Sequence, residues 1–181
     1  MHGHPPGSIW PAGNTAAVEL REVYARYGLA MSQAQVLEHT VVNTAIFFHF
    51  IPTIGEYSDI EAWQNALESS YDAEFAKTFG NMLNSLSLIP DLPADLMQRL
   101  RSAKADRDHL AHGFFREHDL DITTSSGRTK MIAKCEEIIH RFNELDHEIE
   151  VFASPQYERF GITSEIIERA LQKLMSEENH S

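Results

Sequence analysis

Residues 131–152, MIAKCEEIIHRFNELDHEIEVF, give the clearest indication of the fold. At about 100° per residue, its apolar side chains fall within roughly 100° of arc, which is the pattern of an amphipathic helix. The members of this stripe are Met131, Cys135, Ile138, Phe142, Leu145, Ile149 and Phe152. We expect the stripe to pack in the core, with Cys135 as a small buried hydrophobic residue rather than a reactive thiol.

Residues 15–50 and 93–115 predict two further long helices, each with one charged residue near the centre of its apolar face. That residue is Glu38 on the first helix and Arg107 on the second. A charge at a core position is costly unless paired, so we hypothesise an ion pair between Glu38 and Arg107. The alternatives are that one side chain extends to solvent, or that Arg107 lines a cleft or subunit interface. The apolar faces comprise Leu20, Val23, Tyr24, Tyr27, Met31, Ala34, Val41, Val42, Ala45 and Phe48 on the first helix, and Leu96, Leu100, Ala103, Leu110 and Phe114 on the second.

Proline and glycine positions set the remaining boundaries of an all-α, antiparallel bundle of about five main helices with short connections. A capping-box pattern at Ser58 and Glu61 starts the second helical region, which we expect to bend near Gly80. Pro155 is expected to end the fifth helix. The predicted segments are a flexible tail over 1–14, helices over 15–50, 58–89, 93–115, 128–152 and 164–175, a loop over 119–127 and a tail over 177–181. One helical domain therefore spans 15–176.

The composition excludes several classes of protein. No apolar run approaches the roughly 20 residues that cross a bilayer, and residues 1–14 do not have the pattern of a secretory signal. A single cysteine excludes an internal disulfide. We therefore expect a cytoplasmic protein with no membrane contact. The formal net charge of -12, from 15 basic and 27 acidic residues, argues against a protein that holds nucleic acid by bulk electrostatics.

The positive charge that the chain does carry is concentrated between residues 99 and 116. This stretch holds five basic residues against two acidic ones. Either it is a solvated helix face or it binds an anionic partner. The basic residues are Arg99, Arg101, Lys104, Arg107 and Arg116, and the acidic ones are Asp106 and Asp108.

The same stretch contains a group with acid–base chemistry. Arg107 and His112 are separated by four residues and point about 140° apart on an ideal helix. They can act on one phosphate if the helix ends at Gly113 and reorients His112, or if a two-fold dimer brings two copies together. Asp108 is four residues before His112, where a carboxylate can orient the imidazole and raise its pKa.

These residues resemble the HEPN superfamily of all-α proteins. Its signature is an Arg, usually followed by a polar residue, and a His four to six positions after the Arg. Arg107, Asp108 and His112 match all three positions, and the surrounding residues 110–115 and the stretch 35–39 of the first helix are also similar to the family. Some toxin members carry a modified Tyr two residues after the His; Phe114 stands there in this chain, which puts that form of control in doubt.

The resemblance implies a metal-independent endoribonuclease that works as a homodimer without a cofactor. It assigns His112 as general acid/base, Arg107 as the stabiliser of the developing phosphorane charge, and Asp108 as an orienting residue. The candidate RNA-binding residues around them are Arg101, Lys104, Arg116 and Glu38. A toxin–antitoxin or phage-defence setting, with a protein partner or antitoxin, follows from the resemblance alone. The alternative is a non-catalytic helical interaction module in which Arg107 is a structural ion pair with Glu38.

Two groups of residues that include histidines have the spacing of metal ligands, but in both the sequence evidence for a metal site is weak. His109 and His112, followed by Glu117 and His118, have ligand types at helical spacing, but such histidines are common on solvated faces. The second group lies on the fifth helix opposite the core stripe, whereas di-iron bundles need this motif on two helices. Its residues are Glu137, His140, Glu144 and His147. We therefore predict no metal.

Overall fold

The computed structural model describes residues 14–163 together with 165, 166, 169 and 172. These residues form an all-α bundle without a strand, as predicted. Residues 1–13 of the predicted tail over 1–14, the predicted tail over 177–181 and almost all of the predicted helix over 164–175 lie outside the described residues. The helices are α1 (Thr15–His49), α2 (Ile60–Phe75), α3 (Phe79–Leu86), α4 (Ala94–His112), α5 (Phe114–Glu117) and α6 (Ser125–Arg159), with 3₁₀ turns at Ile51–Glu56 and Asp121–Thr123.

Side-chain caps determine where several helices start. Asn14 accepts a hydrogen bond from the backbone N–H of Ala17 at 3.2 Å and begins α1. Helix α2 is capped by Asp59, which accepts from the N–H of Ala62 at 2.8 Å. The predicted cap, Ser58, instead donates its hydroxyl to the Asp59 carboxylate. The predicted cap was wrong by one residue. Ser58 and Asp59 are both good N-cap residues, and the Asp59 carboxylate is the group that accepts the backbone hydrogen bond.

Two predicted boundaries after α2 were also wrong. The helical region over 58–89 breaks before Gly80, because Thr78 caps the new helix α3 by accepting from the N–H of Asn81. The predicted loop over 119–127 contains the turn Asp121–Thr123, and α6 already begins at Ser125 because Thr124 accepts from the N–H of Gly127 at 3.0 Å. The cap residues were present in the sequence, but several Ser and Thr competed for each role.

Helix α6 continues through Pro155 to Arg159, so the prediction that Pro155 ends it was wrong. A proline inside a helix removes one N–H donor, here the donor to the carbonyl of Val151. Both residues lie on the exposed side of α6, and Val151 is 58% exposed. Water can therefore solvate that carbonyl, which makes the lost hydrogen bond tolerable.

The two 35-residue helices, α1 and α6, pack on each other more extensively than any other pair and form the main axis of the bundle. They run in the same direction, since Glu19 contacts Arg128 near their starts and Thr44 contacts Tyr157 near their ends, so the predicted antiparallel arrangement does not hold for this pair. Helix α4 runs antiparallel to both. None of the helices in the described part of the chain is long and apolar enough to span a bilayer.

One hydrophobic core joins α1, α3, α4 and α6. The predicted stripe of α6 is buried from Met131 to Ile149, and Phe152 is partly buried against it. Cys135 is fully buried, and burial raises the pKa of its thiol to about 11. That change keeps the thiol protonated at neutral pH, in agreement with its predicted role as a packing residue. The predicted stripe of α4 is also buried: Leu96, Leu100, Ala103 and Leu110, followed by Phe114.

Candidate functional site

The end of α4, which carries the motif, is held against α1 by an aromatic cluster. The hydroxyl of Tyr27 donates to the carbonyl of Leu110 at 3.1 Å, and the Tyr27 ring contacts the buried ring of Phe114 at 5.5 Å. Helix α4 ends at His112, and the N–H of Gly113 donates to the carbonyl of His109 at 2.8 Å. The chain then turns into α5. His112 therefore lies at the end of a helix that the aromatic cluster holds against α1.

The predicted contact between Glu38 and Arg107 is present. Nε of Arg107 donates to Oε1 of Glu38 at 2.8 Å, and Nη1 lies 3.4 Å from Oδ1 of Asp108. The side chain of Arg107 is 31% exposed and that of Glu38 is 15% exposed, so the pair lies at the edge of the core rather than inside it. Nη2 of Arg107 has no hydrogen-bond partner within the described part of the chain. The arginine is anchored at one edge and retains donors at the other.

Asp108 organises the cations around it. Its carboxylate accepts a short hydrogen bond from Nζ of Lys104 as well as the longer contact from Arg107. Lys104 in the first place, and Arg107 after it, lower the pKa of Asp108, which stays ionised at neutral pH. Between residues 14 and 163, no hydrogen bond joins Asp108 to His112, so the expected orienting contact is not formed in this structure.

Arg107 and His112 line one cleft of about 550 Å³ between α1, α3 and α4. His112 is exposed, and its ring has no hydrogen-bond partner in the described residues. A single chain therefore brings both motif residues to the same cavity, as the first of the two predicted routes requires. The cleft is lined by Glu38, Phe75, Lys77, Thr78, Phe79, Met82, Lys104, Arg107, Asp108 and His112.

The structure divides the predicted binding residues into two groups. Lys104 and Glu38 line the cleft, and the stem of Lys104 passes over α3 because Gly80 has no side chain: a Cβ there would lie 3.0 Å from Cε of Lys104. Arg101 and Arg116 are exposed and do not line it. These two residues belong to the same basic stretch but to other faces of the chain.

Sequence reasoning missed five cleft residues, among them Phe75 and Lys77; the others are Thr78, Phe79 and Met82. The ring of Phe75 is 38% exposed and contacts the ring of His39 at 4.7 Å. Nζ of Lys77 donates to Glu74 at 2.5 Å and to the hydroxyl of Ser85 at 2.9 Å. Both residues lie at the break between α2 and α3, which no motif marks. The available signal in the sequence was the predicted bend near Gly80, which lies just after the break that the structure shows between α2 and α3.

The histidines of the first suggested metal site are separated rather than gathered. Nδ1 of His109 lies 3.5 Å from Glu117, and Nδ1 of His118 lies 2.8 Å from Asp121. In the part of the chain that the structure describes, no three side chains of His, Cys, Asp or Glu are close enough to share a metal ion. The four residues of the second suggested site are exposed on α6: Glu137, His140, Glu144 and His147.

Comparisons of the chain with family models, with curated proteins and with solved structures find no match. The resemblance carried by Arg107, Asp108 and His112 therefore has no support beyond the residues themselves. A function has to be inferred from the chemistry of the cleft.

Proposed function

We propose that this protein is a HEPN-like, metal-independent endoribonuclease whose phosphodiester-binding site is the cleft between α1, α3 and α4. The observation that carries the proposal is that Arg107 and His112 line the same cavity, one half-buried and anchored, the other exposed. An anchored cation and an imidazole in one cleft supply charge stabilisation and proton transfer, the two contributions on which RNA cleavage without a metal can draw.

In the proposed reaction, neutral His112 takes the proton of a ribose 2′-hydroxyl while the 2′-oxygen attacks the neighbouring phosphorus. The bond from phosphorus to the 5′-oxygen breaks, and that oxygen receives a proton from an imidazolium or from water. The products are a 2′,3′-cyclic phosphate and a 5′-hydroxyl. A histidine suits this role because its ordinary pKa lies near neutrality, so both protonation states are accessible.

Arg107 stabilises the extra negative charge on the phosphorane in this scheme. Its guanidinium is planar and permanently charged, and its donors match two phosphate oxygens. Glu38 holds Nε at 2.8 Å, and Nη2 is directed to no described protein group. An arginine fixed in this way does not need to reorganise when charge develops, and this preorganisation is the usual source of electrostatic catalysis.

The cleft is locally more basic than the chain as a whole. It brings together Lys77, Lys104 and Arg107 against Glu38 and Asp108, although the net charge of the chain is -12. Local cations recognise a phosphate at short range, whereas the net charge disfavours bulk binding of RNA. The proposal therefore includes a selective RNA substrate, a homodimer that joins two motif-bearing helices, and regulation by a protein partner such as an antitoxin.

A second candidate function is favoured by one observation, the contact of 2.8 Å between Arg107 and Glu38. If this ion pair serves packing alone, the protein is a non-catalytic helical interaction module and His112 has no chemical role. In that case both residues of the pair matter for stability and neither matters for RNA.

Cleavage of RNA in the presence of EDTA tests the proposal. We expect the wild type to cleave and to leave a 2′,3′-cyclic phosphate, and Arg107→Ala and His112→Ala to be inactive although folded. The matched controls are Arg159→Ala and His140→Ala, which remove an exposed arginine and an exposed histidine of α6. Equal background cleavage by the wild type and all four variants would refute the nuclease and favour the interaction module.

A further inference from the structure

A second cavity, of about 270 Å³, lies beside the last turns of α1 and α6, where Tyr71 of α2 also lines it. It shares no lining residue with the cleft of the proposed nuclease. None of the motifs found in the sequence points to it. Its lining combines aromatic rings with oxygen atoms and comprises Thr40, Asn43, Phe47, Tyr71, Glu150, Tyr157 and Ile162.

Three aromatic side chains line this cavity from three different helices. The rings of Phe47 on α1 and Tyr157 on α6 meet at 4.4 Å with an angle of 74° between their planes. In this edge-to-face arrangement one ring turns its edge to the face of the other, and both rings line the cavity together with Tyr71 of α2. The Tyr157 hydroxyl is positioned by a hydrogen bond of 3.3 Å shared with Thr44. Ring faces carry partial negative charge, which attracts cations at short range.

The charges near the cavity are also negative. Among the described residues that line it, Glu150 is the one that carries a charge. One helical turn before Glu150, Oδ1 of Asp146 is buried and has no partner in the described residues. Arg159, in the last turn of α6, points about 160° away from Tyr157 around the helix axis. A cation is therefore favoured in this cavity and an anion is not.

The direction of the long helices adds to this preference. Because α1 and α6 run parallel and Phe47 and Tyr157 lie in their last turns, the negative ends of two helix dipoles face the same region. Burial, and in addition the charge of Glu150, raise the pKa of Tyr157, so its phenol remains protonated at neutral pH. These contributions depend on an arrangement of helices that the sequence did not predict.

We propose that this cavity binds a small organic cation of the alkylated ammonium class, such as a trimethylammonium group. No three His, Cys, Asp or Glu side chains of the described residues gather here, so a metal ion would lack charged ligands. A methylated ammonium donates no hydrogen bond from its nitrogen, and aromatic faces with one carboxylate satisfy its charge. The cavity has the volume of such a small ligand rather than of a large cofactor.

The test compares choline with 3,3-dimethylbutan-1-ol, its neutral carbon isostere, by calorimetric titration of the full chain. We expect choline to bind and the neutral isostere to bind at least about tenfold more weakly, since only the charge differs. Tyr71→Ala and Glu150→Gln are expected to weaken choline about five- to tenfold, whereas Tyr71→Phe keeps the ring and retains binding. Tyr24→Ala, which removes an exposed tyrosine at the far end of α1, is the control and should bind as the wild type does.

Three results would overturn the proposal. The first is no heat of binding with choline at about 50 mM, a concentration that would reveal even very weak affinity. The second is equal affinity for choline and its isostere, which would make the cavity merely apolar. The third is unchanged binding by Glu150→Gln together with Tyr71→Ala; if Tyr71→Ala does not fold, Glu150→Gln alone decides. Glu150→Gln separates this proposal from the nuclease, because Glu150 does not line the cleft, whereas Tyr71 stacks on the cleft residue Phe75 with ring centroids 6.2 Å apart.

Discussion

Two of the arginine–glutamate pairs that join α1 to its neighbours use their donors differently. Arg128 of α6 is 9% exposed in its side chain, and three of its nitrogens are bonded. Nε and Nη2 donate to Glu19 at 2.9 and 2.7 Å, and Nη1 donates to the carbonyl of Ile122 at 2.9 Å. Arg107 of α4 is 31% exposed and has one close partner, Glu38, through Nε.

The difference separates a structural arginine from one that can still bind. The donors of Arg128 are used to hold the start of α6 and the turn before it against α1, so little remains for a ligand. Glu38 orients Arg107 but leaves its terminal nitrogens at the edge of the cleft. The same residue types at the same kind of interface therefore predict different consequences when each pair is broken.

The largest expected effect is a separation of activity from stability. Arg107→Ala should lower RNA cleavage by about 100-fold or more, because it removes the charge that stabilises the transition state, while Tm changes little. Arg128→Ala should lower Tm by roughly 5–10 °C, since Glu19 and the Ile122 carbonyl lose their donors, and the folded fraction should still cleave. Initial rates and calorimetry measure both quantities. Loss of stability without loss of cleavage in Arg107→Ala would make this arginine structural as well.

Gly127, next to Arg128, and Gly113, next to His112, allow the rigidity of the two arginine regions to be compared. A Cβ at Gly127 would lie 2.1 Å from the backbone carbonyl oxygen of Asp121, so Gly127→Ala should cost about 2–3 kcal/mol of unfolding free energy. At Gly113 the closest atom is Nδ1 of the His109 side chain, at 3.0 Å, which can move. Gly113→Ala should therefore cost less than about 1 kcal/mol. Urea denaturation measures both variants, and equal losses would contradict the view that the Arg128 region is the more rigid one.

Phe75 tests whether the cleft binds nucleotides beyond the phosphate. Its exposed ring can stack on a base, so Phe75→Ala should weaken binding of a short DNA analogue, which lacks the 2′-hydroxyl, by roughly 5- to 100-fold. Phe75→Trp should retain binding. Phe160→Ala is the matched control, because Phe160 is equally exposed at 38% and lies at the end of α6. Fluorescence anisotropy gives the affinities, and equal weakening by both alanine variants would remove Phe75 from the site.

The smallest expected effect is a pH dependence at the structural pair. Hydrogen bonds from Arg128 and then Ser125 lower the pKa of Glu19 from its ordinary value of 4.5. A lowered folded-state pKa gives stability that is present above pH 4.5 and is lost as the pH falls through the lower folded value. The difference in unfolding free energy between wild type and Glu19→Gln should thus be constant at neutral pH and shrink below pH 4.5. Urea titrations at pH 7, 4.5 and 3.5 check this, and a difference that grows in acid would contradict it.

The helical pattern could be predicted because it depends on local spacing. The stripe of Met131, Cys135, Ile138, Phe142, Leu145 and Ile149 is buried as the periodicity indicated, and so is the stripe of α4. The contact between Glu38 and Arg107 was predictable for a related reason, since a charge on an apolar face needs a partner. The boundaries at Ser58, Gly80 and Pro155 were not, because caps compete and solvent exposure decides whether a proline is tolerated.

Local spacing was therefore enough to predict the long helices, most of their buried faces and the residues with candidate chemistry, because side-chain periodicity is a property of consecutive residues. What those residues contact depends on the tertiary structure. The packing of the helices brings Phe75 and Lys77 into the same cleft as Arg107. It also gives Arg128 partners for three of its nitrogens, and it brings Phe47 of α1 into one cavity with Glu150 of α6. These neighbours are far apart along the chain, and only the packing of helices, driven by burial of their apolar faces, brings them together.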